Sequence, residues 1–391
     1  MSETAFDEAA VANEVLLNLR EVIDPEIRKP IADLDMVDGV SVDADGTATV
    51  GLKLTIVGCP AADRIEREVR DATLRTPGVT AANVVTTVMS PQERHALTLK
   101  LRGARARGAQ FGRDSLTRVL AVTSGKGGVG KSTVTANLAV ALAGQGLRVG
   151  IVDVDVHGFS IPGLLGLPAD AVPTRVDQMM LPPVAHGVKA ISIGMFLTPE
   201  QRGQAVAWRG PMLHRTVAQF LTDVFFDELD VLLLDLPPGT GDVAISVGQL
   251  LPQAEVLVVT TPQQAAAEVA ERSGILARQT GQRVLGVIEN MSGLVQPDGT
   301  VLDLFGSGGG AETAARLSAG QAEPVPLLGS IPLSVGLRRG GDVGVPIVLS
   351  DPEDPAAAAI LQIAAGLATR RRTLPLNLGR DSAYSTTDAA R

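Results

Sequence analysis

Residues 123 to 133 read TSGKGGVGKST. Gly125, Gly130, Lys131 and Ser132 meet the spacing G-x-x-x-x-G-K-[ST], in which backbone N–H groups curl around the phosphates of a nucleoside triphosphate. There Lys131 neutralises the outer phosphates and the Ser132 hydroxyl ligates Mg²⁺, while Gly127, Gly128, Val129 and Thr133 complete the loop. Lys126 has no role in that pattern. Two further stretches carry carboxylates. DVDVHGFS holds Asp153 and Asp155, read as facing opposite ways, one toward the Mg²⁺ shell and one toward an attacking water. DVLLLDLPPGTGD places Asp235 at the end of an apolar run, where a carboxylate reaches Mg²⁺ through water. Pro237, Pro238, Gly239 and Gly241 follow as a loop suited to sensing the γ-phosphate.

These groups need a sheet to hold them. From Leu116 onward, apolar strands are expected at 119–123, 148–155, 190–194, 230–236, 255–261 and 284–291, with helices between them such as 132–145 and 264–280. Uninterrupted apolar strands belong to parallel sheets covered on both faces. The fold class read here is α/β, a doubly wound parallel sheet of the P-loop NTPase kind, preceded by a small α+β domain. The phosphate loop follows strand 119–123 and opens a helix, where the helix dipole favours anions.

Domain 1–95 has an expected helix at 6–22, two strands joined at Asp45-Gly46, a helix at 61–74 and a strand at 81–89. A basic linker follows at 96–114, read as a solvated tether. The ATPase domain is expected over 115–370 and a disordered tail over 371–391.

Composition narrows the class. The 34 Lys and Arg are outnumbered by 43 Asp and Glu, which speaks against a nucleic-acid coat. With one cysteine, Cys59, an internal disulfide and a multi-cysteine metal cage are excluded. The N-terminus lacks the pattern of a secretion signal and no apolar run reaches bilayer length, so a cytoplasmic protein is expected.

The form G-K-G-G-V-G-K-S resembles the deviant Walker A of the MinD/ParA/nitrogenase-iron-protein class. That resemblance implies a homodimer, in which Lys126 crosses to the partner's nucleotide and supplies charge as an arginine finger would. The stretches AWRGPMLHRTVAQFLTDVFFDELDVLLLDLPPGTGD, VIENMSG, FGSGGG and GSIPLSVGLRRGGDVGVPIV resemble the Mrp/ApbC iron–sulfur cluster carrier family. VIDPEIRKPIADLDMV and LTIVGCP resemble the metal–sulfur cluster assembly domain often fused to it. The resemblance implies ATP and Mg²⁺ as cofactors, apoprotein clients and Fe–S assembly proteins as partners, and neither membrane nor nucleic acid. It assigns water positioning to Asp155, which leaves Asp153 with Asp235 and Ser132 for Mg²⁺, and an adenine contact to Asn290, otherwise a strand-end turn residue. Cys59 falls on the T-x-x-x-C-P cysteine, as a cluster or transfer thiol or simply a small buried residue.

One departure stands out. Cluster-bridging members of that family carry a C-x-x-C pair after the E-N-M-S stretch, and here Gln296 and Gly299 occupy those positions in what reads as an ordinary turn. A bridging cluster of the usual kind is therefore not expected, and any iron–sulfur cluster should be labile. The alternative is a MinD/ParA-like positioning ATPase, which would need an amphipathic tail helix or a basic face.

Overall fold

Each strand of the large sheet feeds two cores at once. Leu120 and Val122 enter one apolar cluster, while Val119 and Ala121 enter the other on the opposite face. Leu232 and Leu234 alternate in the same way with Val231 and Leu233. This is the side-chain period of two applied to strands with no polar face. The structure, a computed structural model, describes residues 7–103, 110–112, 114–156, 158–198, 201, 210–296 and 298–369. The expected tail at 371–391 and the linker residues 104–109 lie outside them.

The N-terminal domain comprises helix α1 (Glu8–Asn18), strands β1 (Val37–Val42) and β2 (Thr47–Leu54), helix α2 (Ala62–Leu74), strand β3 (Ala81–Val88) and helix α3 (Pro91–Arg102). β1 and β2 pair antiparallel, and β2 pairs parallel with β3. Alternate residues of β2, Ala48, Val50, Leu52 and Leu54, are buried. Gly46 in the hairpin has φ 83°, and a Cβ there would lie 2.7 Å from Gly78 O. Only glycine fits that turn.

The basic stretch expected as a tether from residue 96 is instead the body of α3. Ser90 Oγ accepts from the Glu93 N–H (3.3 Å), and Glu93 Oε2 accepts from the Ser90 N–H (2.7 Å). This capping box, with Pro91 in the first turn, starts a helix where a charge run alone suggests none. Lys100 then pairs with Asp35 (2.8 Å).

The second domain adds β4 (Arg118–Ser124), helix α4 (Lys131–Gly144), β5 (Val149–Asp153), β6 (Thr174–Val176), β7 (Met179–Leu181), β8 (Val184–Ala185) and β9 (Val188–Ser192). Helix α5 (Gly210–Asp223), β10 (Val231–Asp235), α6 (Asp242–Leu250), β11 (Glu255–Thr260) and α7 (Gln264–Gln279) follow. β12 (Arg283–Val295), β13 (Val301–Leu302), α8 (Gly309–Ser318), β14 (Leu327–Leu333) and, near the end, α9 (Pro355–Ala368) complete the elements used below. The sheet runs β8-β9-β5-β10-β4-β11-β12, and both β13 and β14 pair with β12. All neighbours are parallel except β8 with β9 and β13 with β12. α4 and α9 cover one face, and α5, α6 and α7 the other. The expected doubly wound sheet is present, with β4 and β10 at its centre.

The two domains share a core. Val176, Met179 and Leu181 of the β6–β7 hairpin, together with Phe225, join the N-terminal cluster that holds Leu52, Ile65 and Cys59. Around them, Thr174 Oγ1 donates to Glu26 Oε1 (2.9 Å) and the Arg28 guanidinium donates to Gly187 O (2.6 Å). Lys189, 1% exposed, donates to Phe225 O (3.4 Å) with its ammonium 5.0 Å from that ring. Burial, then Arg28, pulls Lys189 down to about 8.

Burial pushes the Glu26 carboxyl from an ordinary 4.5 up to about 7, against the Thr174 hydrogen bond. The docked state therefore binds a proton that a solvated carboxyl would release. Its contribution to stability is fully present below pH 4.5 and is lost as pH rises through 7. Buried Asp24 shifts in the same direction, whereas Lys189 is charged throughout that window. Glu26→Gln should flatten the fall in thermal stability between pH 5 and 8, a slope worth on the order of 3 kcal/mol. An unchanged slope in the variant would show that Glu26 is ionised in the folded chain.

Candidate functional site

The loop between β4 and α4 is shaped by close contacts that exclude side chains. A Cβ on Gly125 would lie 2.3 Å from the Ala270 backbone nitrogen, so only glycine lets the end of β4 meet α7. Gly130 has φ 78°, and a Cβ there would lie 2.3 Å from Asn290 Nδ2. Asn290 is buried in β12 and donates through that nitrogen to Val129 O (2.8 Å). It is neither a turn residue nor a strand end. Its amide braces the phosphate loop from behind. A cavity of about 210 Å³ opens over the loop from Lys126 to Thr133, with Asp155, Ser160 and Pro238 on its other walls.

Beneath the loop lies a buried ion pair. Lys131 Nζ donates to Asp235 Oδ2 (2.7 Å), with side chains 6% and 0% exposed. The same oxygen accepts from Ser132 Oγ (2.6 Å), and Oδ1 accepts from Thr135 Oγ1 (2.9 Å). Burial raises the Asp235 pKa, and Lys131 opposes that rise. Lys131 also lies 3.4 Å from Asp155 Oδ2. Asp155 therefore reaches the cavity, as expected of a group that could orient water.

Asp153 does not. Its Oδ2 accepts from Ser192 Oγ (2.9 Å) and the Ile161 N–H (3.4 Å), and its Oδ1 from the Asp155 N–H (3.1 Å). Burial, then the neighbouring Asp235, holds its carboxyl well above the ordinary carboxylate range. The expectation places Asp153 in the Mg²⁺ shell; here these bonds tie it to strand β9 and to the segment that carries Asp155. A continuing strand would turn both aspartates to one face. β5 ends at Asp153, and this is why they diverge.

Lys126 Nζ donates to Gln263 Oε1 (2.7 Å), the residue that precedes α7. The loop from Pro237 to Gly241 sits close by, since the Gly239 N–H donates to Ser124 O (2.8 Å). The residues fit a triphosphate with Mg²⁺: a cradle that a Cβ would fill, the N-terminus of α4, one lysine inside and one at the rim, and the Ser132 and Asp235 oxygens side by side. Sequence reading missed Thr135, Ser192 and Gln263. Thr135 was within reach, being four residues after Lys131 on the same helix face.

A family model described as NUBPL iron-transfer P-loop NTPase matches residues 115–368, and one described as iron-sulfur cluster assembly protein matches residues 12–84. The chain belongs to the NUBPL iron-transfer P-loop NTPase family. An iron-sulfur cluster carrier protein of Mycobacterium tuberculosis is 55% identical over 366 residues, covering 93% of this chain and 95% of that protein. One of Synechocystis is 41% identical over 359 residues, covering 90% and 96%. Among solved structures, a nucleotide-binding protein from Archaeoglobus fulgidus in complex with ADP is 38% identical with a TM-score of 0.50, covering 58% of this chain and 86% of that one. The family resemblance read from the sequence holds for both parts of this NTPase.

The positions expected to bear on a cluster differ from the phosphate loop. Gln296 and Gly299 of the NTPase form the turn between β12 and β13, where the Gly299 N–H donates to Gln296 O (2.9 Å). Cys59 is 7% exposed, and burial pushes its thiol up to about 11, with the Ala61 N–H opposing and Glu26 and Asp24 adding to the rise. Among the described residues no group of three His, Cys, Asp or Glu side chains is placed to hold a metal ion. No helix among them is long and apolar enough to cross a membrane.

Lys131→Ala should abolish nucleotide binding and leave Asp235 buried without its cation, at a cost of about 3–5 kcal/mol in urea unfolding. Adding Asp235→Asn should recover most of the stability and none of the binding. A single variant as stable as the parent would show that the pair does not hold the sheet centre.

Proposed function

We propose that this chain is an ATP-hydrolysing dimeric switch that carries iron–sulfur clusters or helps deliver them to apoproteins. The observation that supports it most directly is one loop with two lysines in different environments, in a chain whose relatives along nearly its full length are named iron-sulfur cluster carriers. In this reading the phosphates lie across the N–H groups of Gly127 to Ser132, and Lys131 exchanges Asp235 for phosphate oxygen. Ser132 and Asp235 would hold Mg²⁺, which supplies charge neutralisation at the outer phosphates. Asp155 orients the attacking water. Lys126 leaves Gln263 and adds its charge to the partner's site, as the class resemblance implies. Asn290 contributes to nucleotide binding through the loop it braces. The proposal includes a cytoplasmic setting, where the Cys59 thiol stays reduced. Neither membrane nor nucleic acid is a partner in it. A positioning role of the MinD/ParA kind is not favoured, because the relatives that share both domains are named carriers.

Asp155→Asn should bind ATP as the parent does and lose roughly 10²-fold in kcat, since the amide keeps the shape and loses the charge that orients water. An unchanged kcat would assign water positioning elsewhere. The dimer is tested by mixing Lys126→Ala with Lys131→Ala chains. A mixed dimer can assemble one site with Lys131 from one chain and Lys126 from the other, so part of the activity should return. Proven mixed dimers without activity would confine Lys126 to its own subunit.

The cargo is tested by anaerobic loading with iron and sulfide. Bound iron should be labile and should disappear on Cys59→Ala, while ATP hydrolysis survives. Stoichiometric iron retained by the Cys59→Ala chain would place the ligands on other residues.

A further inference from the structure

The contact between the two domains is arranged around the one thiol of the chain. Cys59 lies just before α2, where its carbonyl accepts from the Ala62 N–H (3.0 Å). The apolar cluster that encloses it is completed from outside the N-terminal domain, by Val176, Met179 and Leu181 of the β6–β7 hairpin and by Phe225. The same hairpin reaches Glu26, a buried carboxyl of the N-terminal domain, through the bond from Thr174. Thr174 and Val176 are both buried while Arg175 between them is exposed, so β6 presents one face to the N-terminal domain.

The remaining ties sit at the margin and are individually weak. His95 Nδ1 meets Asp177 Oδ2 (3.0 Å) at the hairpin tip, and Arg102 donates to Gln178 O (3.3 Å). Lys29 lies 3.7 Å from Asp227, with both side chains partly exposed. Exposed pairs of this kind contribute little, so apolar burial holds the seam together. The hairpin itself is two strands of three residues, tied to its own domain at Met180, whose carbonyl accepts from the Phe225 N–H (2.8 Å). The hairpin and the N-terminal domain can therefore part without either sheet losing a strand.

We propose that the β6–β7 hairpin is a releasable cover over Cys59, so that the N-terminal domain presents its thiol only when it lifts from the ATPase domain. This goes beyond the carrier reading and does not depend on what the thiol ligates. Docked, the thiol is screened by an apolar cluster to which the other domain contributes. Lifted, it loses that screen and the buried carboxyls beside it return to water.

The test measures alkylation of the full chain by iodoacetamide at pH 8, with backbone hydrogen exchange of residues 174–181 followed in parallel. Val176→Asp puts a charge into the seam, far from the phosphate loop. It should speed exchange across the hairpin and raise the labelling rate of Cys59 by about tenfold or more, as local opening becomes populated. Where Val176→Asp fails to fold, Arg28→Ala, which removes the donor to Gly187 O, is expected to move both readouts in the same direction by a smaller factor. Faster hairpin exchange with unchanged labelling would overturn the proposal. So would a parent chain whose folded thiol reacts as fast as the urea-unfolded one, or variants that leave both readouts unmoved.

Discussion

The pairing of Lys131 with Asp235 is the constraint from which the rest of the ATPase domain follows. Asp235 ends the central strand β10 and is fully buried, so its charge must be met inside the protein. Lys131, Ser132 and Thr135 all point at it, and all three come from the first turns of α4. One carboxylate thus fixes the axial position of the helix, the height of the phosphate loop above the sheet and the orientation of the serine that would meet Mg²⁺. Tripartite satisfaction of this kind is what allows an ion to be buried without loss of fold. Phosphate oxygens would compete for Lys131 and leave Asp235 with its two hydroxyl donors.

Much of this was legible because glycine, lysine and apolar periodicity are read directly from the chain. The strand–loop–helix order and the split of each strand between two cores follow from residues 119 to 155 alone, while the choice of Asp155 over Asp153 for the cavity came from the family resemblance. What escaped was set by contacts distant in sequence. The bond that Asp153 accepts from Ser192 went unread because that serine lies on the neighbouring strand β9 with no motif to mark it. Residues 96–102 were read as part of a tether because the basic run that starts there outweighed a capping box formed by Ser90 and Glu93. The docking of the N-terminal domain could not be read at all, since the contacts that complete its core are distant in sequence, Thr174 meeting Glu26 across 148 residues.

Strand β9 shows why that docking concerns the nucleotide site. Its first half carries Lys189, buried against Phe225 at the domain seam, and the turn that enters it offers Gly187 O to Arg28. Its last residue, Ser192, holds Asp153, which in turn accepts from the Asp155 N–H. A strand paired along its length with β5 moves as a unit. The seam over the thiol and the loop of the water-orienting carboxylate are therefore attached to the two ends of the same short rod.

The chemistry of the cargo leads to the last step. A [4Fe–4S] cluster takes four ligands, usually cysteine thiolates. This chain has one cysteine, so a dimer of the proposed kind supplies two thiolates. Those two are buried and protonated while the domains are docked, because apolar burial disfavours the thiolate. A cluster bound this way depends on ligands from a donor, a client or a free thiol at every moment. A cluster held through those two thiolates alone would be labile. Brief sharing of a cluster with partners that supply the missing ligands remains open to such a protein, and a thiol exposed only on domain release would suit that sharing.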